Sequence, residues 1–174
     1  MSKLRTANLL GALASEIAET LDRQLRSHPN QTDSAAAALN VIGFYEGCSN
    51  GALSRALKLS HTATVRLVDK LEAAGLVESR PGVDRRAVAL YLTEAGRVRG
   101  RVTIQERCAV LGSIVDILAP EQQDQLAALA ETLLRALTTS AAEADHICRL
   151  CDETVCPQDA CPVHQAAAAV GPIQ

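Results

Sequence analysis

One stretch of the sequence, residues 51–99, constrains the fold more than any other, because it carries helix, turn and hairpin signals in close succession. A short helix is predicted at about residues 50–58, a turn at Leu59-Ser60, and a second helix at about residues 61–74. Two short helices joined by a tight turn are typical of the helix-turn-helix motif, whose second helix enters the DNA major groove.

The second predicted helix has two different faces. Ser60 can cap its start, and Gly75 suits the left-handed position that follows its last residue. One face is apolar at helical spacing: Val65, Val68, Leu71 and Leu76. The remaining positions are polar or charged: His61, Thr62, Thr64, Arg66, Asp69 and Lys70. We therefore expect an outer face that meets base edges and phosphates.

The candidate DNA contacts divide by chemistry. Base-edge contacts are predicted for Thr62, Thr64 and Arg66, with Arg66 able to bond guanine through two nitrogens. Phosphate contacts are predicted for Arg55, Lys58 and Lys70, and the alternative for these three is a solvated helix face. His61 opens the second helix, where we favour a phosphate or base contact over a neutral surface role.

A basic hairpin is predicted directly after the second helix. Its strands are residues 76–80 and 87–92, and Pro81-Gly82-Val83-Asp84 is its turn. Strand alternation directs Leu90 and Leu92 toward a core and Ala89 and Tyr91 away from it. Contact with DNA is predicted for Arg80, Arg85 and Arg86. An arginine at such a tip can enter a narrow minor groove, whereas the alternative is a solvated hairpin end.

These residues resemble the core of the MarR family of bacterial transcription regulators. The similar features are the Leu59-Ser60 turn, Thr64, Arg66, Leu71-Glu72 with Gly75-Leu76-Val77, Asp84-Arg85-Arg86, and Leu92-Thr93 before Gly96. The likeness extends in layout over about residues 1–145. It implies an obligate homodimer that binds pseudo-palindromic double-stranded operators. It also implies repression until a ligand, a small aromatic acid in many relatives, or an oxidant releases the DNA.

The charge distribution agrees with a DNA-binding module although the net charge is −3. Residues 51–107 hold eleven Lys and Arg against six Asp and Glu, a net +5. The rest of the chain holds six against fourteen, a net −8. A basic module on an acidic scaffold is expected of specific DNA binding, since the acidic part disfavours nonspecific contacts.

The predicted fold class is mainly α (α+β), a winged helix-turn-helix with long dimerisation helices and a small two-stranded wing. Further helices are predicted at about 5–27, 33–46 (capped by Asp33 or Ser34), 94–118 and 120–144. The predicted winged-helix domain spans 1–145, with the DNA-reading part at 51–92 and dimerisation helices at 1–30 and 94–145. A cysteine-rich tail at 146–164 and a flexible C-terminus at 165–174 follow. The flanking helices carry more apolar residues than a monomer could cover, which predicts a homodimer.

The tail carries Cys148, Cys151, Cys156 and Cys161 at C-x2-C-x4-C-x4-C spacing. Four thiols in so short a segment predict a metal site, because thiolates bind soft and borderline metals tightly. Zn²⁺ is the first expectation, with His146 and His164 as possible substitute ligands. An iron–sulfur cluster, [4Fe-4S] or [2Fe-2S], is the rival, favoured by the Cys-Pro steps. A pair of disulfides is the third possibility.

A metal would supply the folding energy of a segment with few large apolar side chains, and could couple metal or redox state to DNA affinity. Cys48 and Cys108 stand alone in the sequence and are predicted to be small buried side chains. No catalytic motif is present, which predicts that the chain is not an enzyme. Without a long apolar run we expect a cytoplasmic protein with no membrane contact. The alternative from another class is a metal- or redox-handling protein that uses the winged helix for protein interaction.

Overall fold

A computed structural model describes residues 2–26, 32–82, 88–156 and 159–170 of the chain. The described residues form eight helices and two strands. They are α1 (Lys3–Arg26), α2 (Asp33–Phe44), α3 (Asn50–Leu57), α4 (His61–Ala73), β1 (Val77–Pro81), β2 (Val88–Leu92), α5 (Glu94–Val115), α6 (Pro120–Leu137), α7 (Ala141–Cys148) and α8 (Pro162–Val170). The predicted fold class, mainly α with a two-stranded wing, is confirmed.

Short-range capping chemistry sets the ends of the helix-turn-helix. The Ser60 hydroxyl accepts a hydrogen bond from the Ala63 N–H at 3.2 Å, as its position before the second helix predicts. Gly75 follows the helix with φ of 69°, a conformation that costs glycine little. The turn before α4 uses Lys58 at φ 51°, also in the left-handed region. These caps hold α3 and α4 in the predicted order.

The wing is an antiparallel pair in which Val77 lies opposite Leu92 and Pro81 opposite Val88. Leu90 and Leu92 are buried as predicted. Ala89 is buried as well, against the expectation from strand alternation, because a small side chain is covered even on the less protected face. Five residues of the predicted hairpin, 83–87, lie outside the described part of the chain, and they include Arg85 and Arg86.

The core lies where α2 meets α3, α4 and the wing. Four consecutive alanines of α2, residues 35–38, are buried, and their small side chains let neighbouring helices approach closely. Ile42 of α2, Leu53 of α3 and Leu90 of β2 are fully buried in the same cluster. The N-cap of α2 is Thr32, not Asp33 or Ser34, because its hydroxyl accepts from the Ala35 N–H at 3.2 Å.

The region after α5 departs from the predicted long helices. α5 ends at Val115 rather than near residue 118, and the helix expected over 120–144 is two helices, α6 and α7. The break comes at Thr138, whose backbone is extended, and Ser140 then caps α7 by accepting from the Glu143 N–H at 3.1 Å. Residues 165–170, expected to be flexible, belong to α8, whose Val163 is buried.

Two of the flanking helices carry large exposed apolar side chains. They are Leu4, Leu9, Leu10 and Leu13 on α1, and Leu126, Leu129, Leu133 and Leu137 on α6. α6 buries none of its residues in the described chain. Among the described helices, none combines the length and the hydropathy that a membrane crossing requires.

Candidate nucleic-acid interface and thiol cluster

The outer face of α4 is open to solvent as the helix-turn-helix motif requires. His61, Thr62, Arg66 and Lys70 are exposed, and Thr62 and Arg66 are one helical turn apart. The opposite face is packed on the core through Val68 and Leu71. α4 is therefore anchored on one side and presents hydroxyl, imidazole and cationic groups on the other.

Thr64, predicted to contact a base edge, is fully buried, so that prediction is wrong. Its hydroxyl donates to the Ser60 carbonyl at 3.1 Å, within the first turn of α4. The physical reason is the helical period, because residues 64, 68 and 71 share one face and that face is the core face. The same spacing in the sequence, in phase with Val68 and Leu71, could have identified Thr64 as a core residue.

The two basic candidates on α3 and its turn differ in what they contact. Arg55 is exposed in the last turn of α3. Lys58 lies in the turn itself and forms an ion pair with Glu143 of α7, with Nζ and Oε1 2.8 Å apart. This ion pair and its hydrogen bond lower the pKa of the Glu143 carboxyl. One of the predicted phosphate contacts is thus neutralised by an acidic side chain from the C-terminal region.

Arg80 is held within the wing. Its guanidinium carbon lies 4.4 Å from the centre of the Tyr91 ring, and the same guanidinium pairs with Glu78. The side chain keeps about half of its surface exposed, so it is oriented by the wing and accessible from outside.

The cysteine tail is docked on the winged helix through polar contacts. Asn40 of α2 donates from its amide nitrogen to the carbonyls of Arg149, at 3.1 Å, and Cys151, at 3.0 Å. His146 of α7 donates from Nδ1 to the Ala56 carbonyl of α3 at 2.9 Å. These bonds span about a hundred residues of sequence and connect the tail directly to the first helix of the helix-turn-helix.

A second contact ties α7 to the end of α2. The Tyr45 hydroxyl donates to the Asp145 carboxylate at 3.3 Å. Burial, and then the nearby Asp145 charge, raise the pKa of Tyr45 to about 12. The tyrosine therefore stays protonated and keeps donating over the whole physiological range.

Three thiols of the tail, those of Cys148, Cys151 and Cys161, lie near one another. Hydrogen bonding to Cys151, then burial, and then the neighbouring Cys161 raise the pKa of the Cys148 thiol. The bond from Cys148 lowers the pKa of Cys151, and the positive charges of Arg107 and Arg149 act in the same direction. The fold therefore brings residues from both ends of the tail into one cluster.

Cys108 of α5 is half-buried, and its assignment as a small buried side chain stays a prediction. Burial and then the charge of Asp152 raise the pKa of Cys108, and the Cys151 thiolate acts in the same direction. Cys156 is exposed. The partial burial of its sulfur is the largest cause that raises its pKa, followed by the charges of Cys151 and Cys161, with a further effect from Cys108. Sequence spacing could not reveal that Cys151 affects the pKa of Cys108, because more than forty residues separate the two.

The other candidate metal ligands are two histidines, which differ from the thiols in their contacts. His146 is engaged through Nδ1 with α3, and His164 is exposed on α8. Cys48 forms an isolated bridge with Leu90 beside the wing, and burial raises its pKa to about 11. Over the described part of the chain, no three histidine, cysteine, aspartate or glutamate side chains are already arranged to hold a metal ion.

A cavity of about 460 Å³ lies between α2, α5 and the tail. Its walls include Arg97, Arg101 and Ile104 of α5 and residues 151–154 of the tail. Arg97 forms an ion pair with Glu46, which offsets part of its positive charge. The tail thus forms one wall of a cavity whose other walls belong to the winged-helix domain.

Comparison with known proteins matches this architecture. Residues 32–87 match the sequence profile of the MarR family. A MarR family protein from Bacillus stearothermophilus is 23% identical with a TM-score of 0.69, covering 79% of this chain and 99% of its own. FabT of Streptococcus pneumoniae, solved in complex with DNA, is 21% identical with a TM-score of 0.68, covering 78% and 97%.

Wild-type MarR of Escherichia coli, in its apo form, is 24% identical with a TM-score of 0.61, covering 72% of this chain and 96% of its own. No curated protein matches the chain in sequence. At these identities the structural likeness establishes the fold, and the profile match places the MarR similarity on α2, α3, α4 and β1.

Proposed function

We propose that this chain is a DNA-binding transcription regulator of the MarR family that reads its operator through α4 in the major groove. The observation that carries the proposal is the exposed polar face of α4, with Thr62 and Arg66 outward, on a helix whose other face is fixed in the core. Such anchoring holds base-reading side chains in a defined orientation, which is the requirement for direct readout. The net +5 of residues 51–107 supports phosphate binding around them.

The DNA-bound state of FabT, a protein of similar fold, supports the same function for this chain. Repression is the proposed regulatory sign, on the resemblance to the family. A regulator of transcription acts where the DNA is, so the proposal also places the protein in the cytoplasm. Arg85 and Arg86 keep their predicted role in the minor groove as part of this proposal, although they lie outside the described residues.

The proposed regulator is a homodimer. The exposed leucines of α1 and α6 support this, because apolar faces of this extent on two flanking helices are typical of a surface that a second copy covers. A two-fold dimer would present two α4 helices to half-sites about one helical turn of DNA apart.

The test is selection of bound duplexes from a pool of random sequences by the full-length protein. We expect enrichment of a two-fold-symmetric sequence whose half-site centres are about 10 base pairs apart. Affinity for the selected duplex should fall steeply between low and physiological salt, since phosphate contacts release counterions. Failure to enrich any sequence would contradict the proposal and favour a protein-interaction role for the winged helix.

We further propose that the tail binds a metal, with Zn²⁺ first and an iron–sulfur cluster as the alternative. The chemistry of the donors supports this, since four closely spaced thiols suit a soft or borderline metal, and Arg107 and Arg149 would offset the charge of thiolates there. An absorption spectrum of anaerobically purified protein with a metal analysis separates the two. Visible bands indicate a cluster, and a colourless protein with stoichiometric zinc indicates Zn²⁺.

The cavity beside the tail supports an alternative mode of control, by a small acidic effector. Arg101 would supply positive charge to a carboxylate, and Ile104 would supply apolar surface to an aromatic ring. In this alternative the metal in the tail is structural, and the effector releases the operator.

The contact between α7 and the helix-turn-helix gives a direct prediction for DNA affinity. Glu143→Gln should release Lys58 for a phosphate and raise affinity for the selected duplex about two- to fivefold, the size of an exposed ion pair. The slope of log affinity against log salt should steepen by about 0.9, one additional phosphate contact. Both are measured by fluorescence anisotropy at several salt concentrations.

Glu131→Gln on α6 is the matched control, since it removes the same charge from an exposed position in the proposed dimerisation region. An unchanged salt slope in Glu143→Gln would show that Lys58 does not face a phosphate in the complex.

A further inference from the structure

Arg80 and Tyr91 meet on one face of the wing. Tyr91 of β2 lies directly opposite Glu78 of β1. Two residues further along the same face, Arg80 lies opposite Ala89. Arg80 and Tyr91 are therefore diagonal neighbours, at a separation that a long and an aromatic side chain can bridge. The Arg80 guanidinium carbon lies over the Tyr91 ring, 4.4 Å from its centre, so the register of the strands brings this cation onto this ring.

The Tyr91 ring is held against the loop between α2 and α3. Gly47 of this loop has a φ of 83°, and a Cβ there would lie 3.0 Å from the Tyr91 hydroxyl oxygen. The loop is joined to β2 by two backbone hydrogen bonds. The Gly47 N–H donates to the Leu90 carbonyl at 2.8 Å, and the Leu90 N–H donates to the Cys48 carbonyl at 2.9 Å. Tyr91 is half-buried between the loop and Arg80, so its ring has a defined position in the wing.

The ring and an ion pair together orient the Arg80 guanidinium. Glu78 accepts a hydrogen bond from Nη2 of Arg80, while the Tyr91 ring covers one face of the guanidinium. The N–H donors of a guanidinium lie in its plane, so a ring over its face leaves the in-plane edges for an acceptor such as a phosphate. The Arg80 side chain is 56% exposed, which allows such an acceptor to approach from solvent.

We propose that Tyr91 is a positioning residue for DNA binding, whose ring orients Arg80 toward a backbone phosphate beside the wing. This inference rests on the proposed DNA-reading function and adds a residue to it. Strand alternation in the sequence directs Tyr91 away from the core and gives it no further role. Arg80 lies near the end of β1, at the base of the hairpin tip that is predicted to enter the minor groove. Phosphates line the edge of that groove, and they are the acceptors that this position favours.

The physical effect of the ring is on orientation and not on charge. An exposed arginine with no neighbour loses its side-chain freedom when it binds a phosphate, and this loss weakens binding. An arginine that is already stacked on a ring loses less of that freedom. Because the Tyr91 ring is uncharged, its removal should lower DNA affinity without changing the number of phosphates that the protein neutralises. The salt dependence of binding can therefore separate the roles of Tyr91 and Arg80.

The test compares full-length variants by fluorescence anisotropy on the duplex enriched by selection, at several salt concentrations. Tyr91→Leu should lower affinity about two- to fivefold, the size of an exposed cation–π contact, at an unchanged salt slope. Arg80→Ala should lower affinity and also reduce the slope by about 0.9, one phosphate contact. In the Arg80→Ala background, Tyr91→Leu should cause no further loss, because the ring then has no guanidinium to orient.

Two conservative variants test the pair without removing either side chain. Tyr91→Phe keeps the ring and should restore most of the affinity lost in Tyr91→Leu. Arg80→Lys keeps the charge but loses the planar group that stacks, so it should lower affinity about as much as Tyr91→Leu at an unchanged slope. It leaves Tyr91 in place, so the pair is tested even where Tyr91→Leu does not fold. Arg23→Ala on α1 is the charge-matched control for Arg80→Ala and should change neither affinity nor slope.

Three results would overturn the inference and leave the proposed function intact. The first is an equal loss from Tyr91→Leu with and without Arg80, because Tyr91 would then act through the structure of the wing as a whole. The second is wild-type affinity and slope in Arg80→Ala, because Arg80 would then contact no phosphate. The third is a loss in Tyr91→Phe as large as in Tyr91→Leu, because the hydroxyl and not the ring would then matter. A selection that enriches no duplex contradicts the proposed function itself, and the inference with it.

Discussion

Gly96→Ala is expected to destabilise the fold more than a methyl group added at any other position of the described chain. Gly96 lies in the first turn of α5, and a Cβ there would overlap the Leu76 carbonyl oxygen and lie 2.9 Å from the carbonyl carbon. The obstacle is backbone, so it cannot rotate away. We expect the free energy of unfolding to fall by about 3 kcal/mol or more, measured by urea denaturation.

The same collision explains why Gly96 matters for the site. The Leu76 carbonyl accepts from the Thr93 N–H at 3.1 Å, and the Thr93 hydroxyl donates to the Gly75 carbonyl at 2.6 Å. These bonds fix the start of α5 against the turn that follows α4. Displacing α5 would therefore shift the DNA-reading helix relative to the proposed dimerisation helices.

Gly112→Ala is the matched control for this prediction. It lies in the same helix, and an added Cβ there meets nothing within 4 Å. We expect it to stabilise the protein by about 0.5–1 kcal/mol, the helix preference of alanine over glycine. If Gly96→Ala unfolds at the same urea concentration as the wild type, the close approach of α5 to Leu76 is not a feature of the protein in solution.

Arg66→Ala is expected to have the largest effect on operator recognition among the described side chains. Arg66 is exposed at the centre of the outer face of α4. A bidentate hydrogen bond from arginine to guanine discriminates against other bases by about 1–3 kcal/mol. Affinity for the selected duplex should fall about 10- to 100-fold, and the preference for one base pair in each half-site should disappear. Competition with duplexes changed at single positions measures both.

Two further variants separate base reading from simple charge. Arg66→Lys keeps the charge but loses the planar fork, so it should also lose the base preference. Arg23→Ala removes an arginine from α1, where it pairs with Glu16, and should leave DNA affinity unchanged. A uniform weakening of all duplexes by Arg66→Ala would mean that Arg66 contacts a phosphate instead.

The features that were predicted correctly depend on residues close together in the sequence. Ser60 caps α4 and Gly75 follows it in the left-handed region because each acts on backbone groups within a few residues. The wing pairs in the expected order because a short hairpin limits the possible register. The outer face of α4 follows from the 3.6-residue period.

The features that the sequence did not show depend on a distant part of the chain. The polarity of Thr64 predicts the outer face of α4, but Thr64 lies on the core face with Val68 and Leu71 and is fully buried. Cys108 stands alone in the sequence, but the fold brings Cys151 near enough to affect its pKa. The phosphate contact of Lys58 stays a prediction, and the sequence could not show its ion pair with Glu143, which depends on how α7 docks.

The sequence by itself determined the helix-turn-helix and wing, because hydrogen bonds at helix ends and the spacing of apolar side chains are local properties. Only the tertiary structure decided which polar side chains are buried, which thiols meet, and that the cysteine tail is joined to the first DNA-reading helix. These depend on the packing of segments up to about a hundred residues apart, where many different contacts are compatible with the same local pattern.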